Sequence, residues 1–140
     1  MIDEQAIPTT IGPRSRPKRV LVADDDPSIR AILVMNLEDE GYQVIEAEDG
    51  EEALRLARHA LPDLVLLDVM MPGLDGLDVL AVLRGHRHTA DIPVVLITAK
   101  SGDEDIWDGW RAGAAYYVTK PFDVEDVLRF IRAALRAVPA

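Results

Sequence analysis

Five side chains that could act together chemically follow short apolar runs in this sequence. They are Asp24, Asp25, Asp68, Thr98 and Lys120. Carboxylates held close together repel one another unless a cation joins them, and carboxylate oxygens with water are the ligands that Mg²⁺ prefers. An aspartate carboxylate can also attack phosphorus, while a metal ion, an ammonium group and a hydroxyl can bind phosphoryl oxygens. If the fold brings the five together, they predict a phosphoryl-transfer site.

Each of these residues alone also has a purely structural explanation. Asp25 could cap a helix, as could Asp26, which directly precedes a proline. Asp68 could start a turn, Thr98 could be an ordinary β-branched strand residue, and Lys120 could be a solvated loop side chain. The order of the set along the chain is what favours a site.

The elements that must position these residues are strands alternating with helices. Apolar runs predict strands at residues 20–23, 42–47, 63–67, 92–97 and 115–118, and helical spacing predicts helices at 27–40, 50–61, 76–83, 102–112 and 123–138. Five such alternations imply right-handed crossovers and a parallel sheet covered on both faces. Ligands of such sheets bind at the carboxyl ends of the strands, which is where the five side chains stand.

Composition limits the class of protein. The chain has 140 residues, 49% of them hydrophobic, and a formal net charge of −10, which indicates a packed single domain and argues against direct nucleic-acid binding or an electrostatic membrane anchor. It has no cysteine, so disulfides and thiolate chemistry are excluded. No apolar run approaches the roughly 20 residues of a membrane span, and the N-terminus has no signal-peptide core. We therefore expect a cytoplasmic protein, with a flexible tail at 1–18 and one domain at 19–138.

The tail is punctuated by prolines and becomes basic at 14–19. It is either a solvated linker or an interaction arm.

Several segments resemble the receiver domain of two-component response regulators, of the CheY-like type. They are VLVADDDP at 20–27, LLDVMMPGLDG at 66–76, LITA at 96–99, AGA at 112–114 and YVTKPF at 117–122. The resemblance covers roughly residues 19–137, and its most specific part is Asp-x-x-Met-Pro-x-x-x-Gly with the later Lys-Pro-Phe. It implies an α/β, flavodoxin-like doubly wound fold: a five-stranded parallel sheet of order 2-1-3-4-5 with five helices.

The resemblance also implies roles for the site residues. Asp68 is the expected phosphoryl acceptor, with the donor a phosphohistidine on a histidine kinase or a histidine phosphotransfer protein. Asp24, Asp25 and Asp68 are the expected Mg²⁺ ligands, completed by the backbone carbonyl of Met70. The family pattern matches this sequence at all of these positions.

Three further residues are implied to carry the response. Lys120 should pair with Asp68 or its phosphoryl group, and the Lys120–Pro121 bond should be cis. Thr98 should bind a phosphoryl oxygen, and Tyr117 should turn inward with it. The surface formed by the fourth helix, fifth strand and fifth helix should then change.

The resemblance implies a signalling module rather than an enzyme. Its expected partners are the phosphoryl donor and a downstream protein, with a phosphorylation-dependent homodimer also compatible, and we expect no output domain in this chain. A haloacid-dehalogenase-like phosphatase shares the chemistry, but that class has a second aspartate two residues after the nucleophile, where this chain has Met70. A constitutive interaction module is the third alternative.

Two tryptophans, Trp107 and Trp110, lie three residues apart on one face of the predicted fourth helix. They are either partly buried against the sheet or a neighbouring helix, or exposed as anchors for a partner.

Overall fold

The computed structural model describes residues 16–137, and the predictions for residues 1–15 and 138 lie outside that range. The five strands are β1 (Arg19–Ala23), β2 (Gln43–Ala47), β3 (Leu64–Asp68), β4 (Val94–Thr98) and β5 (Tyr116–Thr119). The five helices are α1 (Pro27–Asp39), α2 (Gly50–Ala60), α3 (Gly76–Gly85), α4 (Asp103–Arg111) and α5 (Val124–Ala137).

All neighbouring strands pair in parallel, in the order β2-β1-β3-β4-β5. The alternation is as the sequence pattern predicts, and the strand order is the one that the resemblance implied. β3 and β4 lie inside the sheet and are buried along their whole length, which explains why they read as unbroken apolar runs rather than alternating ones. The Lys120–Pro121 peptide bond is cis, as the resemblance implied.

Each face of the sheet carries its own apolar core. On one face, Leu33 and Leu37 of α1 pack with Leu128 and Ile131 of α5. On the other, the core is built from residues of α2 and α3 together with Met71, and Tyr117 packs at its margin. Tyr116 instead packs with the first core and stacks on Phe130, with ring centroids 4.8 Å apart. The two adjacent tyrosines therefore point to opposite faces, as strand geometry requires.

Strand boundaries differ from the predicted ones by one or two residues. Asp68 and Thr98 are the last residues of their strands rather than the first residues beyond them. β4 begins only at Val94, because the N–H of Ile92 donates to the Thr89 carbonyl in a turn. β1 begins earlier, at Arg19, which pairs with Gln43.

The partly buried alternative for the two tryptophans is wrong. Trp107 is 58% exposed and Trp110 is 46% exposed. The buried residue of α4 is Gly109, so the helix turns its glycine toward the sheet and both indoles toward solvent. Arg111 lies over the Trp107 ring, 5.8 Å from its centroid.

Among the described residues, no helix is both long enough and apolar enough to cross a membrane.

Candidate functional site

The ends of four strands bring the predicted side chains to one edge of the sheet. Asp24 directly follows β1, Asp68 ends β3, Thr98 ends β4, and Lys120 directly follows β5. The parallel register pairs Asp68 with Ile97 and Thr98 with Thr119, so neighbouring strands end level with one another. Asp24 is 2% exposed, Asp68 3% and Thr98 0%, although polar residues are rarely buried without partners.

Lys120 joins two of the buried acids. Its Nζ donates to Asp68 Oδ2 at 2.8 Å and to Asp24 Oδ2 at 3.0 Å. The other oxygen of each carboxylate accepts a backbone N–H two residues further on: Asp68 Oδ1 from Met70 and Asp24 Oδ1 from Asp26, each at 2.9 Å. Both carboxylates are therefore held in fixed orientations, and Lys120 is not a free loop side chain.

Asp25 completes an acidic cluster. Asp24, Asp25 and Asp68 each bring one carboxylate oxygen within 4.8 Å of the others, and Asp25 lies on the exposed side of the group. Asp26 does not belong to it, because its side chain accepts from the N–H of Ser28 at 2.9 Å as the N-cap of α1. The structural explanation thus holds for Asp26, while the other predicted acids converge.

The charges within the cluster are only partly compensated. Burial raises the pKa of the Asp68 carboxyl above its ordinary value; the hydrogen bonds from Lys120 and Met70 oppose this, and the Asp24 charge adds to it. Burial lowers the pKa of Lys120, but its hydrogen bonds to Asp68 and Asp24 outweigh burial, and the net pKa is raised. Since the carboxylate form of Asp68 is disfavoured even beside Lys120, the donor set suits a further hard cation.

Met70 contributes its backbone to this arrangement, while its side chain is exposed. The role of its carbonyl in metal binding stays a prediction.

A short hydrogen-bonded chain leads from Thr98 to Tyr117. The N–H of Lys100 donates to Thr98 Oγ1 at 3.3 Å, and the Tyr117 hydroxyl donates to the Lys100 carbonyl at 2.9 Å. Burial and the charges of Asp105 and Asp108 raise the pKa of the Tyr117 phenol. One residue of backbone therefore links the buried hydroxyl at the site to a partly buried aromatic ring.

Sequence reasoning missed Arg30, and it gave no role to Gly76, although Gly76 ends the Asp-x-x-Met-Pro-x-x-x-Gly motif. Arg30 donates from Nη1 to the Asp24 carbonyl at 2.6 Å and from Nε to Glu46 at 3.2 Å, which fixes the backbone of the acidic segment. The helix dipole disfavours a cation in the first turns of a helix. The position of Arg30 early in α1 was therefore the sequence signal that this side chain has a specific partner. Gly76 lets α3 approach the Asp68 backbone, since a Cβ there would lie 2.3 Å from the Asp68 carbonyl oxygen.

Comparison with known proteins agrees with this fold. The family model for the response regulator receiver domain matches residues 20–132. The transcriptional regulator RpaA of Synechocystis is 47% identical over 118 residues, which cover 84% of this chain and 49% of that protein. The probable transcriptional regulatory protein TcrX of Mycobacterium tuberculosis is 46% identical over 121 residues, covering 86% and 51%. The chain thus spans about half the length of the curated relatives it matches.

Solved structures show the same similarity. The chemotaxis protein CheY4 of Vibrio cholerae superposes with a TM-score of 0.80 at 32% identity, covering 84% of this chain and 98% of that one. A putative response regulator of Chloroflexus aurantiacus gives a TM-score of 0.82 at 33% identity, covering 86% and 98%. The chain belongs to the response regulator receiver domain family, the signalling domain of two-component systems.

Proposed function

We propose that Asp68 accepts a phosphoryl group from a phosphohistidine on a histidine kinase or a histidine phosphotransfer protein. The observation that carries this proposal is the contact of Lys120 Nζ with both Asp68 and Asp24, at 2.8 and 3.0 Å, beside a third carboxylate. Such a set binds and orients a phosphoryl group, which suits phosphoryl transfer because that reaction depends mainly on positioning and charge stabilisation.

The transfer exchanges one bond for another. An Asp68 carboxylate oxygen forms a bond to phosphorus while the phosphorus–nitrogen bond to the imidazole breaks. The imidazole nitrogen keeps the bonding electron pair and takes up a proton from water, and Asp68 becomes an acyl phosphate. Attack by water on phosphorus later returns the carboxylate and inorganic phosphate. The domain promotes these two steps on itself and acts as a signalling module, not as an enzyme for other substrates.

Mg²⁺ is the cofactor that the acidic cluster fits best. Asp24, Asp25 and Asp68, with the Met70 carbonyl, would hold it. When bound, the ion neutralises negative charge on the phosphoryl oxygens. Lys120 supplies a second positive charge from the protein itself, already placed against Asp68.

The response to phosphorylation begins at Thr98. Its hydroxyl binds a phosphoryl oxygen, and the backbone of Lys100 passes the change to Tyr117, which turns inward. The surface of α4, β5 and α5 then favours a downstream protein, or a second copy of the domain, by a shift between two packings. We place these encounters in the cytoplasm, without direct contact to nucleic acid or membrane.

Labelling with acetyl [³²P]phosphate and Mg²⁺ tests the acceptor. The parent protein should take up label that hydroxylamine releases, and Asp68→Asn should take up none. Asp75→Asn is the matched control: Asp75 caps α3 through the N–H of Asp78 at 2.8 Å, and asparagine caps equally well. An acid-stable, hydroxylamine-resistant phosphate, or full labelling of Asp68→Asn, would contradict the proposal.

A further inference from the structure

Helix α4 is held to the sheet in an unusual way. Of its nine residues, Asp103–Arg111, all of them described, only Gly109 is buried. The N-cap residue, Gly102, provides no side-chain hydrogen bond, and Trp107 and Trp110 point to solvent. By contrast, α1, α2 and α3 each bury leucine side chains. The only fully buried residue of α4 is therefore a glycine, and Ile106 is its one half-buried apolar side chain.

The surface beneath Gly109 is the ring of Tyr117. A Cβ atom at position 109 would lie 2.6 Å from Tyr117 Cδ2, 2.9 Å from Tyr117 Cε2 and 3.1 Å from Leu96 Cδ1. Real Cβ atoms do not come within 3.0 Å of a non-bonded carbon atom, so any side chain larger than glycine must displace the Tyr117 ring or the helix. Glycine inside a helix also lowers helix stability relative to alanine. The close approach of the Tyr117 ring explains why position 109 holds glycine despite this loss of helix stability.

The ring is the part of this contact that can move. Leu96 is fully buried within β4, and the Gly109 backbone is fixed by its helix. Tyr117 is only partly buried, at the margin of the core, and its hydroxyl is held by the Lys100 carbonyl. The Lys100 N–H in turn donates to Thr98 Oγ1. The position of the ring is thus linked on one side to the site and on the other to α4.

We propose that Gly109 is a positioning residue that seats the Tyr117 ring beneath α4, so that the position of the ring sets the position of this helix and of the two tryptophans it displays. The inference rests on the proposed function in one respect only, namely that phosphorylation of Asp68 is what moves the Tyr117 ring. Without this contact between Gly109 and the Tyr117 ring, called the seat below, Tyr117 must turn outward and α4 loses the contact of its one fully buried residue. Phosphorylation of Asp68 then cannot reach Trp107 and Trp110 through Tyr117.

The seat is tested without any phosphoryl group. Nitration of Tyr117 by tetranitromethane, followed by peptide mass spectrometry with Tyr42 as internal reference, reports how exposed the ring is. Gly109→Ala should raise the nitration rate of Tyr117 several-fold. Gly85→Ala is the matched control, because a Cβ there meets nothing within 4 Å, and it should leave the rate unchanged. An unchanged rate in a folded Gly109→Ala protein overturns the proposal.

Coupling is tested with beryllofluoride and Mg²⁺. Binding is followed by ¹⁹F NMR and the response by tryptophan fluorescence. Gly109→Ala should still bind beryllofluoride and lose most of the fluorescence change, while Gly85→Ala keeps both. A full fluorescence response in Gly109→Ala would overturn the coupling. If the parent protein itself does not bind beryllofluoride, the proposed function fails, while the nitration result still decides the seat.

A double variant covers the case in which Gly109→Ala does not fold. If the ring occupies the seat, removing it in Tyr117→Ala/Gly109→Ala should restore cooperative unfolding and the circular dichroism of the Tyr117→Ala protein. If the double variant also fails to fold where Tyr117→Ala alone folds, something other than the ring occupies the space and the proposal is overturned.

Discussion

Binding of Mg²⁺ should stabilise the domain by relieving repulsion among Asp24, Asp25 and Asp68. Two unit charges at the 4.8 Å limit of this cluster repel by about 3.5 kcal/mol at an effective dielectric constant of about 20. Three carboxylates and Lys120 sum to a formal charge of −2, which one divalent ion cancels. Because the protein offers few ligands, we expect a dissociation constant of the order of 1 mM. At ten times that concentration, linkage adds about 1.4 kcal/mol to the free energy of unfolding, or about 5 °C in Tm.

Thermal unfolding of chelator-treated protein measures this shift, with NaCl matching the ionic strength because any salt screens surface charge. The informative pair is Asp25→Asn and Asp26→Asn, which remove the same charge from neighbouring exposed residues. Asp26 caps α1, and asparagine caps equally well, so Asp26→Asn should keep the full Mg²⁺ shift. Asp25→Asn should lose most of it, and its Tm without metal should equal or exceed that of the parent.

Two results would refute this reasoning. The first is a parent protein whose Tm does not respond to Mg²⁺ at ten times the expected dissociation constant. The second is an equal shift in both variants, which would mean that the ion acts by general screening and not at the cluster.

Two further predictions concern the scaffold of the site. Gly76→Ala should lower the free energy of unfolding by about 3 kcal/mol in urea titrations, because its Cβ would meet the Asp68 carbonyl at 2.3 Å and the Val69 Cα at 2.7 Å. The control variant Gly85→Ala should not lower the free energy of unfolding. Similar values for the two variants would contradict the packing argument. Lys120→Met should lower the free energy of unfolding by about 2–3 kcal/mol at neutral pH. The control is Lys100→Met, which removes the same charge from an exposed residue. Since the folded pKa of Lys120 lies above its ordinary value of 10.5, its contribution is complete below pH 10.5 and is lost as pH rises through the folded pKa. The gap in stability between parent and Lys120→Met should therefore close in strong alkali, and a gap that stays constant with pH would show that the ion pair is not its source.

The parallel sheet and the meeting of the polar residues at its edge were predictable from local patterns, while the strand order was implied by the family resemblance. Buried parallel strands are continuous apolar runs, and parallel strands end at one edge, so Asp68 and Thr98 had to lie near each other once β3 and β4 were neighbours. The exact strand ends were not predictable, because the last residue of a strand is defined by hydrogen bonds to its neighbours and not by its own hydropathy. Asp68 and Thr98 are polar, yet they continue the ladder.

The attachment of α4 was hidden for a different reason. Ile106, Trp107 and Trp110 supply the apolar signal in this helix, and a hydropathy pattern points its strongest apolar residues inward. The contact instead depends on the absence of a side chain at Gly109. A glycine carries no hydropathy signal, so periodicity left the environment of both indoles open between partial burial and exposure. The resemblance implied that Lys120 pairs with Asp68, but no local pattern indicated its second hydrogen bond, to Asp24, because only the sheet brings residues 24 and 120 together.

These differences in packing decide which part of the domain can respond to a phosphoryl group. A ligand shifts an equilibrium only by its differential affinity for the two states, which amounts to a few kcal/mol. β3 and β4 are wholly buried, and α1 and α5 share an apolar core, so moving them would break many contacts at once. α4 would expose one fully buried residue, Gly109, and the half-buried Ile106. Segments with few buried contacts open at the lowest free-energy cost. On the proposed function, we therefore expect the same modest energy to displace α4 while the rest of the fold is unchanged, and the exposed indoles of Trp107 and Trp110 to move with it.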